Sequence, residues 1–161
     1  RWERIVFFLD PWQDVRGEGY QLVQSYYALG NGGWFGTGLG LSKQKHNFLP
    51  YAYSDFIFAI VGEELGFIGA SAILLLFAML IVRGYWISLQ STDRFSFLTG
   101  CGITTMLALQ IVLNVAVCTN LVPCTGISLP FFSYGGTALL MQLFEAGLIL
   151  AVSRQNDNKL L

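Results

Sequence analysis

The feature that most constrains this chain is the absence of charge over long stretches. No Asp, Glu, Lys, Arg or His occurs from Leu65 to Val82, 18 residues, or from Phe95 to Phe144, 50 residues. A bilayer core about 30 Å thick is crossed by roughly 20 apolar residues at about 1.5 Å rise per residue, so both runs reach spanning length. Of the 161 residues 54% are hydrophobic and 12% charged, about half the charge of a soluble domain. The expectation is an all-α polytopic membrane protein, since helices satisfy their own backbone in lipid. Nine basic residues against ten acidic ones do not cluster, which argues against a nucleic-acid partner. Cys101, Cys118 and Cys124 are odd in number, lack zinc spacing, and read as small hydrophobes. The chain opens at Arg1 in place of Met and is expected to be a piece of a longer protein.

Three spans are predicted. The first covers 55–82, with Ser54 or Asp55 capping its first turn. As one helix it is about 42 Å long, more than the core needs, so its outer third with Glu63 and Glu64 is expected in a water-filled or protein-lined cavity. The 50-residue run must break, because fully helical it would reach about 75 Å. Asn120, Pro123, Gly126, Pro130, Gly135 and Gly136 are the break signals. They divide it into a span at 96–119, a loop at 120–136 and a span at 137–153. A hydrophilic linker at 83–94 carries Arg83 and Arg94, and a tail carries Arg154 and Lys159. The 120–136 loop has no basic residue, so the linker and tail are expected in the cytoplasm and the loop outside.

Residues 1–54 then form a long extracytoplasmic loop, with 55–161 as the three-span region. A short interfacial helix is expected within Val15–Leu29, where Tyr20, Tyr26 and Tyr27, with Trp12 and Trp34 on either side, suit the headgroup layer. The string Gly30-Asn31-Gly32-Gly33-Trp34-Phe35-Gly36-Thr37-Gly38-Leu39-Gly40 signals tight turns or close backbone approach. It lacks nucleotide-loop spacing.

Several polar residues are candidates for chemistry. Asp55 falls where an outer loop meets a helix N-terminus, which fits an N-cap and also a carboxylate able to accept a proton from a substrate hydroxyl. Gln44 and Lys45 precede it on the loop. Glu63 and Glu64 lie about 12 Å further along the helix and diverge by about 100°, so one can face a cavity and the other a helix, or either can pair structurally. Ser133, Tyr134 and Thr137 belong to an uncharged loop that can turn back into the membrane around a polar ligand or close a tight hairpin. Asn114 is placed to hydrogen-bond across helices.

These segments together resemble the C-terminal part of the FtsW/RodA/SpoVE (SEDS) family. The resemblance covers essentially the whole chain. It rests on Phe8-Leu9-Asp10-Pro11-Trp12, Gly19-Tyr20-Gln21-Leu22-Val23-Gln24-Ser25, the glycine string, Gln44-Lys45, Leu49-Pro50, Ser54-Asp55-Phe56-Ile57-Phe58, Gly62-Glu63-Glu64-Leu65-Gly66-Phe67-Ile68-Gly69, and Thr125-Gly126-Ile127-Ser128-Leu129-Pro130-Phe131-Phe132-Ser133-Tyr134-Gly135-Gly136. The resemblance implies a parent of about ten transmembrane helices, of which these are the last three. It implies a peptidoglycan glycosyltransferase that polymerises lipid II at the outer face of the bacterial cytoplasmic membrane, beside a class B penicillin-binding protein. Asp55 would be its catalytic aspartate, acting on the acceptor sugar hydroxyl directly or as ligand to a divalent cation, Mg or Mn. Gln44, Lys45, Glu63, Glu64, Ser133 and Tyr134 would bind substrate. A lipid II flippase and a non-catalytic scaffold of the division or elongation complex are the alternatives. One departure stands out: Tyr51 and Tyr53 occupy positions where the family carries acidic and imidazole side chains. Tyrosine can stack on a sugar but cannot replace a carboxylate at a metal.

Overall fold

The structure, a computed structural model, describes residues 20–41 and 56–158. Its elements are α1 (Tyr20–Gly32), α2 (Ile57–Leu89), α3 (Arg94–Cys118) and α4 (Gly136–Asn158). No strand occurs among the described residues. The helices α2, α3 and α4 are long and apolar enough to cross a membrane.

Packing of α2 on α3 sets the frame. On α3 the buried residues Ser96, Gly100, Thr104, Leu107, Ile111, Asn114 and Cys118 recur at three- and four-residue intervals, forming one stripe. Small residues let the two helices close up: a Cβ on Gly84 would meet the Thr104 side chain, and one on Gly100 would meet Ser88. Such close approach replaces the hydrophobic drive that is missing between helices in lipid. The hydroxyls at the seam are satisfied within their own helices, Ser88 Oγ donating to Gly84 O at 2.8 Å and Thr104 Oγ1 to Gly100 O at 2.8 Å.

One end of the bundle is tied by side chains of the short α2–α3 connection and of α4. The Asp93 carboxylate caps α3, accepting from Ser96 N at 3.2 Å. Ser96 Oγ also donates to Gln155 Oε1 at 2.9 Å, and Asn156 Nδ2 donates to Ile87 O at 2.9 Å. These bonds explain two departures from the expected boundaries. The third span, α4, was expected to stop at 153 but runs on to Asn158, because Gln155 and Asn156 are anchored to the neighbouring helices. The first span, expected to end at 82, continues to Leu89, since Gly84 is held against Thr104 and nothing stops the helix before Gln90. The connection therefore shrinks from 83–94 to Gln90–Asp93.

A third correction concerns the start of α2. Ser54 or Asp55 was expected as its cap, yet the cap position is Phe56, which makes no side-chain capping bond. Phe56 is buried in the apolar core with Leu22, Phe58 and Ile60, so packing anchors that helix start.

The structure also breaks α2 internally. Gly66 takes φ 68° and ψ −172°, which is not helical. The glycine string covers the break: a Cβ on Gly36 would collide with the Glu64 carbonyl and Gly66 N, and one on Gly32 with the Gly62 carbonyl. Gly36 has φ +80° and Gly40 φ +78°, but the space around Gly40 is open. Substituting alanine therefore separates strain from contact. At Gly40 the left-handed backbone alone should cost about 1–2 kcal/mol, whereas Gly36→Ala adds displacement of bonded backbone and should cost about 2–4 kcal/mol. Thermal unfolding of the detergent-solubilised full-length protein checks this, with a clearly lower transition temperature expected for Gly36→Ala than for Gly40→Ala.

Candidate functional site

The end of the bundle opposite Arg83, Arg94 and Arg154 carries both irregular segments of the described chain, and each is built around backbone groups that a helix leaves unpaired. In an unbroken α2, Phe67 N and Ile68 N would bond to the carbonyls of Glu63 and Glu64. The break at Gly66 parts these partners, and the glycine string accepts and donates in their place. Thr37 N donates to Glu63 O at 2.9 Å and Gly38 N to Glu64 O at 3.1 Å, while Phe67 N donates to Gly33 O at 2.9 Å and Ile68 N to Trp34 O at 3.2 Å. Thr37 Oγ1 adds a bond to Glu63 O at 3.1 Å.

Glu63 and Glu64 thus occupy the last turn before the break. Glu63 is 0% exposed, and Glu64 is half-buried. They were expected in a water-filled or protein-lined cavity at the outer part of the helix; Glu63 is instead enclosed by protein. Neither lines the neighbouring cavity, a space of about 300 Å³ bounded by Leu29, Phe58, Phe67, Ala70, Leu74 and Val115 among others. That cavity is apolar and lies where α1, α2 and α3 meet.

The second irregular segment follows α3. Asn120 takes φ 52° and ends the helix in a Schellman arrangement, with Leu121 N bonded to Ala116 O at 2.7 Å and Asn120 N to Val117 O at 3.0 Å. The Cys118 carbonyl of the same end accepts from Ser25 Oγ of α1 at 2.9 Å. The chain then turns back into the bundle. Gly84 opposes Thr104 and Ser88 opposes Gly100, a register that puts Phe77 about two helical turns, about 10 Å, below the end of α3. The Phe132 ring packs on Phe77 at 5.8 Å, edge to face, and Leu129 is fully buried.

Side chains satisfy this re-entrant backbone. Asn114 Nδ2 donates to Ile127 O at 2.8 Å, Gln142 Oε1 accepts from Phe131 N at 2.8 Å, and Ser133 Oγ accepts from Leu129 N at 2.8 Å. Phe131 is held at φ 64°, a left-handed conformation that a bulky residue adopts only when its surroundings compel it. Asn114, expected to bond across helices, bonds to the loop. Ser133 is occupied in holding the turn, whereas Tyr134 beside it is 88% exposed. Gln142 was not foreseen as part of this loop; a polar residue one and a half turns into an apolar span was the available signal. Asp55, Gln44 and Lys45 lie outside the described residues, as do Tyr51 and Tyr53.

The comparisons with known proteins agree with these features. The profile of the FtsW/RodA/SpoVE family, described as cell cycle proteins, matches residues 1–158. The chain belongs to this family. Stage V sporulation protein E of Bacillus subtilis (strain 168) is 51% identical over 154 residues, which are 96% of this chain and 42% of that protein. A probable peptidoglycan glycosyltransferase FtsW of Geobacter metallireducens is 47% identical over 153 residues, 95% of this chain and 41% of the relative. Among solved structures, a chain of a peptidoglycan synthase complex that coordinates polymerization and crosslinking aligns with a TM-score of 0.75 and 32% identity, covering 96% of this chain and 41% of that one. A mutant of the rod shape determining protein RodA from Thermus thermophilus aligns with a TM-score of 0.63 and 34% identity, covering 76% and 38%. The chain thus spans less than half the length of these FtsW/RodA/SpoVE relatives. Family membership and three apolar helices make it part of a multi-pass protein of the cytoplasmic membrane.

The loop geometry predicts its own weak point. Gln142→Leu removes the acceptor for the part-buried Phe131 N, and an orphaned buried donor costs about 1–3 kcal/mol. The variant should unfold at lower temperature, and protease should cleave faster within 120–135; unchanged protection there would show that Gln142 does not hold the loop.

Proposed function

We propose that this chain is the C-terminal part of a ten-helix peptidoglycan glycosyltransferase that polymerises lipid II outside the cytoplasmic membrane, in company with a class B penicillin-binding protein. The observation that carries the reading is the family match over residues 1–158, with relatives described as probable peptidoglycan glycosyltransferases. Residues 1–54 are read as an extracytoplasmic loop, in agreement with the absence of basic residues from 120–136 at the same end of the bundle as the glycine string.

Asp55 is read as the general base. Its carboxylate accepts the proton of the acceptor sugar hydroxyl; the oxygen forms a bond to the anomeric carbon of the donor sugar, and the bond from that carbon to the lipid pyrophosphate breaks with its electron pair. Asp55 immediately precedes the buried cap residue Phe56. The apolar cavity beyond, bounded by Phe58 and Phe67, suits hydrocarbon of a lipid-linked substrate and not its sugars. Tyr134 is exposed and able to stack on a sugar, with Ser133 as its positioning neighbour. Gln44 and Lys45 are read as contacts to the pyrophosphate; Glu63 and Glu64, expected as substrate contacts, are read here as supports of the outer end of α2, since Glu63 is fully buried. A divalent cation, Mg or Mn, would be held in part by Asp55 and would supply charge to polarise the acceptor hydroxyl, while the carboxylate itself takes the proton.

Asp55→Asn in the full-length protein tests the chemistry. Asn matches Asp in size and in its tolerance at helix starts, but it cannot take up the hydroxyl proton. Loss of a general base typically lowers rate about 10²–10⁴-fold, so strand synthesis from labelled lipid II should nearly vanish while membrane insertion and co-purification with the partner persist. Synthesis at the wild-type rate would reject Asp55 as the base. Because Tyr51 and Tyr53 are unusual, the wild type is assayed alongside; a wild type that binds its partner but makes no strands would favour the scaffold reading.

The orientation has a separate test. In a cysteine-free full-length protein, Asn31→Cys should react with an impermeant maleimide from outside intact cells and Gln90→Cys only after permeabilisation. The reverse pattern would invert the membrane placement and with it the proposed active face.

A further inference from the structure

We infer that the tip of the glycine-rich segment, Trp34 and Phe35, is a membrane anchor seated in the lipid headgroup and upper acyl layer of the leaflet opposite Arg83. Trp34 is 69% exposed and Phe35 85% exposed. Leu39 and Leu41 on the same segment, and Phe67 and Ile68 beside it on α2, are exposed as well. The Trp34 ring meets Phe67 edge to face at 5.5 Å, which joins the two groups into one apolar surface. No charged residue interrupts the sequence from Gly19 to Ser42.

Two observations identify the occupant as lipid. The first is the state of the backbone. A non-helical segment tolerates hydrocarbon only if its N–H and C=O groups are paired. Here Gly36 N, Thr37 N and Gly38 N donate to Gly32 O, Glu63 O and Glu64 O, and the Gly33 and Trp34 carbonyls accept from Phe67 N and Ile68 N. Five peptide groups of the tip are therefore paired within the protein, so that its apolar side chains can face the interface. The second is spacing. Trp86, 55% exposed, sits near the other end of α2 beside Tyr85 and Arg83. From Phe67, which touches Trp34, to Trp86 is 19 residues of helix, about 28 Å at 1.5 Å per residue. The hydrocarbon core is about 30 Å thick, and tryptophans are enriched at both of its boundaries. A tryptophan contributed by a loop thus completes the interfacial pair that α2 supplies at one end only.

The anchor has a mechanical consequence. The segment bonded to the broken turn of α2 is also the segment held by lipid, so the depth of Glu63, Glu64 and the start of α2 is referenced to the bilayer surface. This does not depend on which reaction the protein catalyses.

Quenching by brominated lipid tests it. The full-length protein and its Trp34→Phe variant are placed in vesicles of phosphatidylethanolamine and phosphatidylglycerol, with chains brominated near the headgroup, near the chain terminus, or not at all. The Trp34 emission, wild type minus variant, should fall by at least half with bromine near the headgroup and less with bromine near the terminus. Emission indifferent to both brominated lipids, whether because water or because protein surrounds the ring, would overturn the anchor. Should Trp34→Phe not fold, a nitroxide at Phe35→Cys, with Cys101, Cys118 and Cys124 replaced, gives the same decision. Collision with oxygen exceeding collision with a water-soluble nickel chelate supports lipid contact, and the opposite order, or shielding from both, rejects it.

Discussion

The interruption of α2 at Gly66 is the constraint on which the rest of this end of the molecule depends. It leaves two carbonyls and two amides without helical partners close to the boundary of an 18-residue charge-free run, where an unpaired peptide group costs several kcal/mol. The glycine string repairs all four by direct backbone hydrogen bonds. Only residues without Cβ atoms permit that approach, since a methyl group on Gly32, Gly36 or Gly66 would occupy the position of the opposing backbone. The break and the string are therefore one structural unit separated by some thirty residues of sequence. By fixing α1 across the outer part of α2, this unit also forms part of the wall of the apolar cavity and brings Ser25 to the end of α3.

The 120–135 segment solves the same physical problem by other means. There the backbone re-enters the bundle and side chains from three directions, Asn114, Ser133 and Gln142, supply the missing partners. Both irregular segments lie at one end of the spans, where polar backbone is exposed to a surface and can meet a ligand. The other end is closed by a short connection, the Asp93 cap and bonds from Gln155 and Asn156. The asymmetry suits the proposed reaction at one face of the membrane.

Much of this architecture was legible in the residues. Long charge-free runs announce spanning helices because a charge in hydrocarbon is expensive, and the run of 50 had to break because a single helix of that length overshoots the bilayer. Asn120, one of the break signals, ends α3 in a left-handed conformation that asparagine tolerates. Helix ends were less legible. Phe56 in place of Ser54 or Asp55 marks the start of α2, since burial of a large ring there outweighs a capping bond, and Arg83 lies inside the helix because Gly84 is gripped by Thr104. In the candidate site the sequence pointed to Glu63, Glu64, Ser133 and Tyr134 but not to the roles of their neighbours Gly66 and Gln142.

What the sequence alone determined was the class of solvent, the number of spans, the density of glycine and the family, because each follows from composition, periodicity or ordered motifs that local reading can count. What only the tertiary structure decided was pairing: that Gly36 belongs with Gly66, Asn114 with Ile127, Gln142 with Phe131 and Trp34 with Phe67. A glycine in isolation states only that its backbone is permissive, and an amide side chain only that it needs a partner. Which backbone fills the space, and which partner answers, is set by the packing of helices whose contacts are distant in sequence, and the energy of an unpaired peptide group in lipid makes that choice specific.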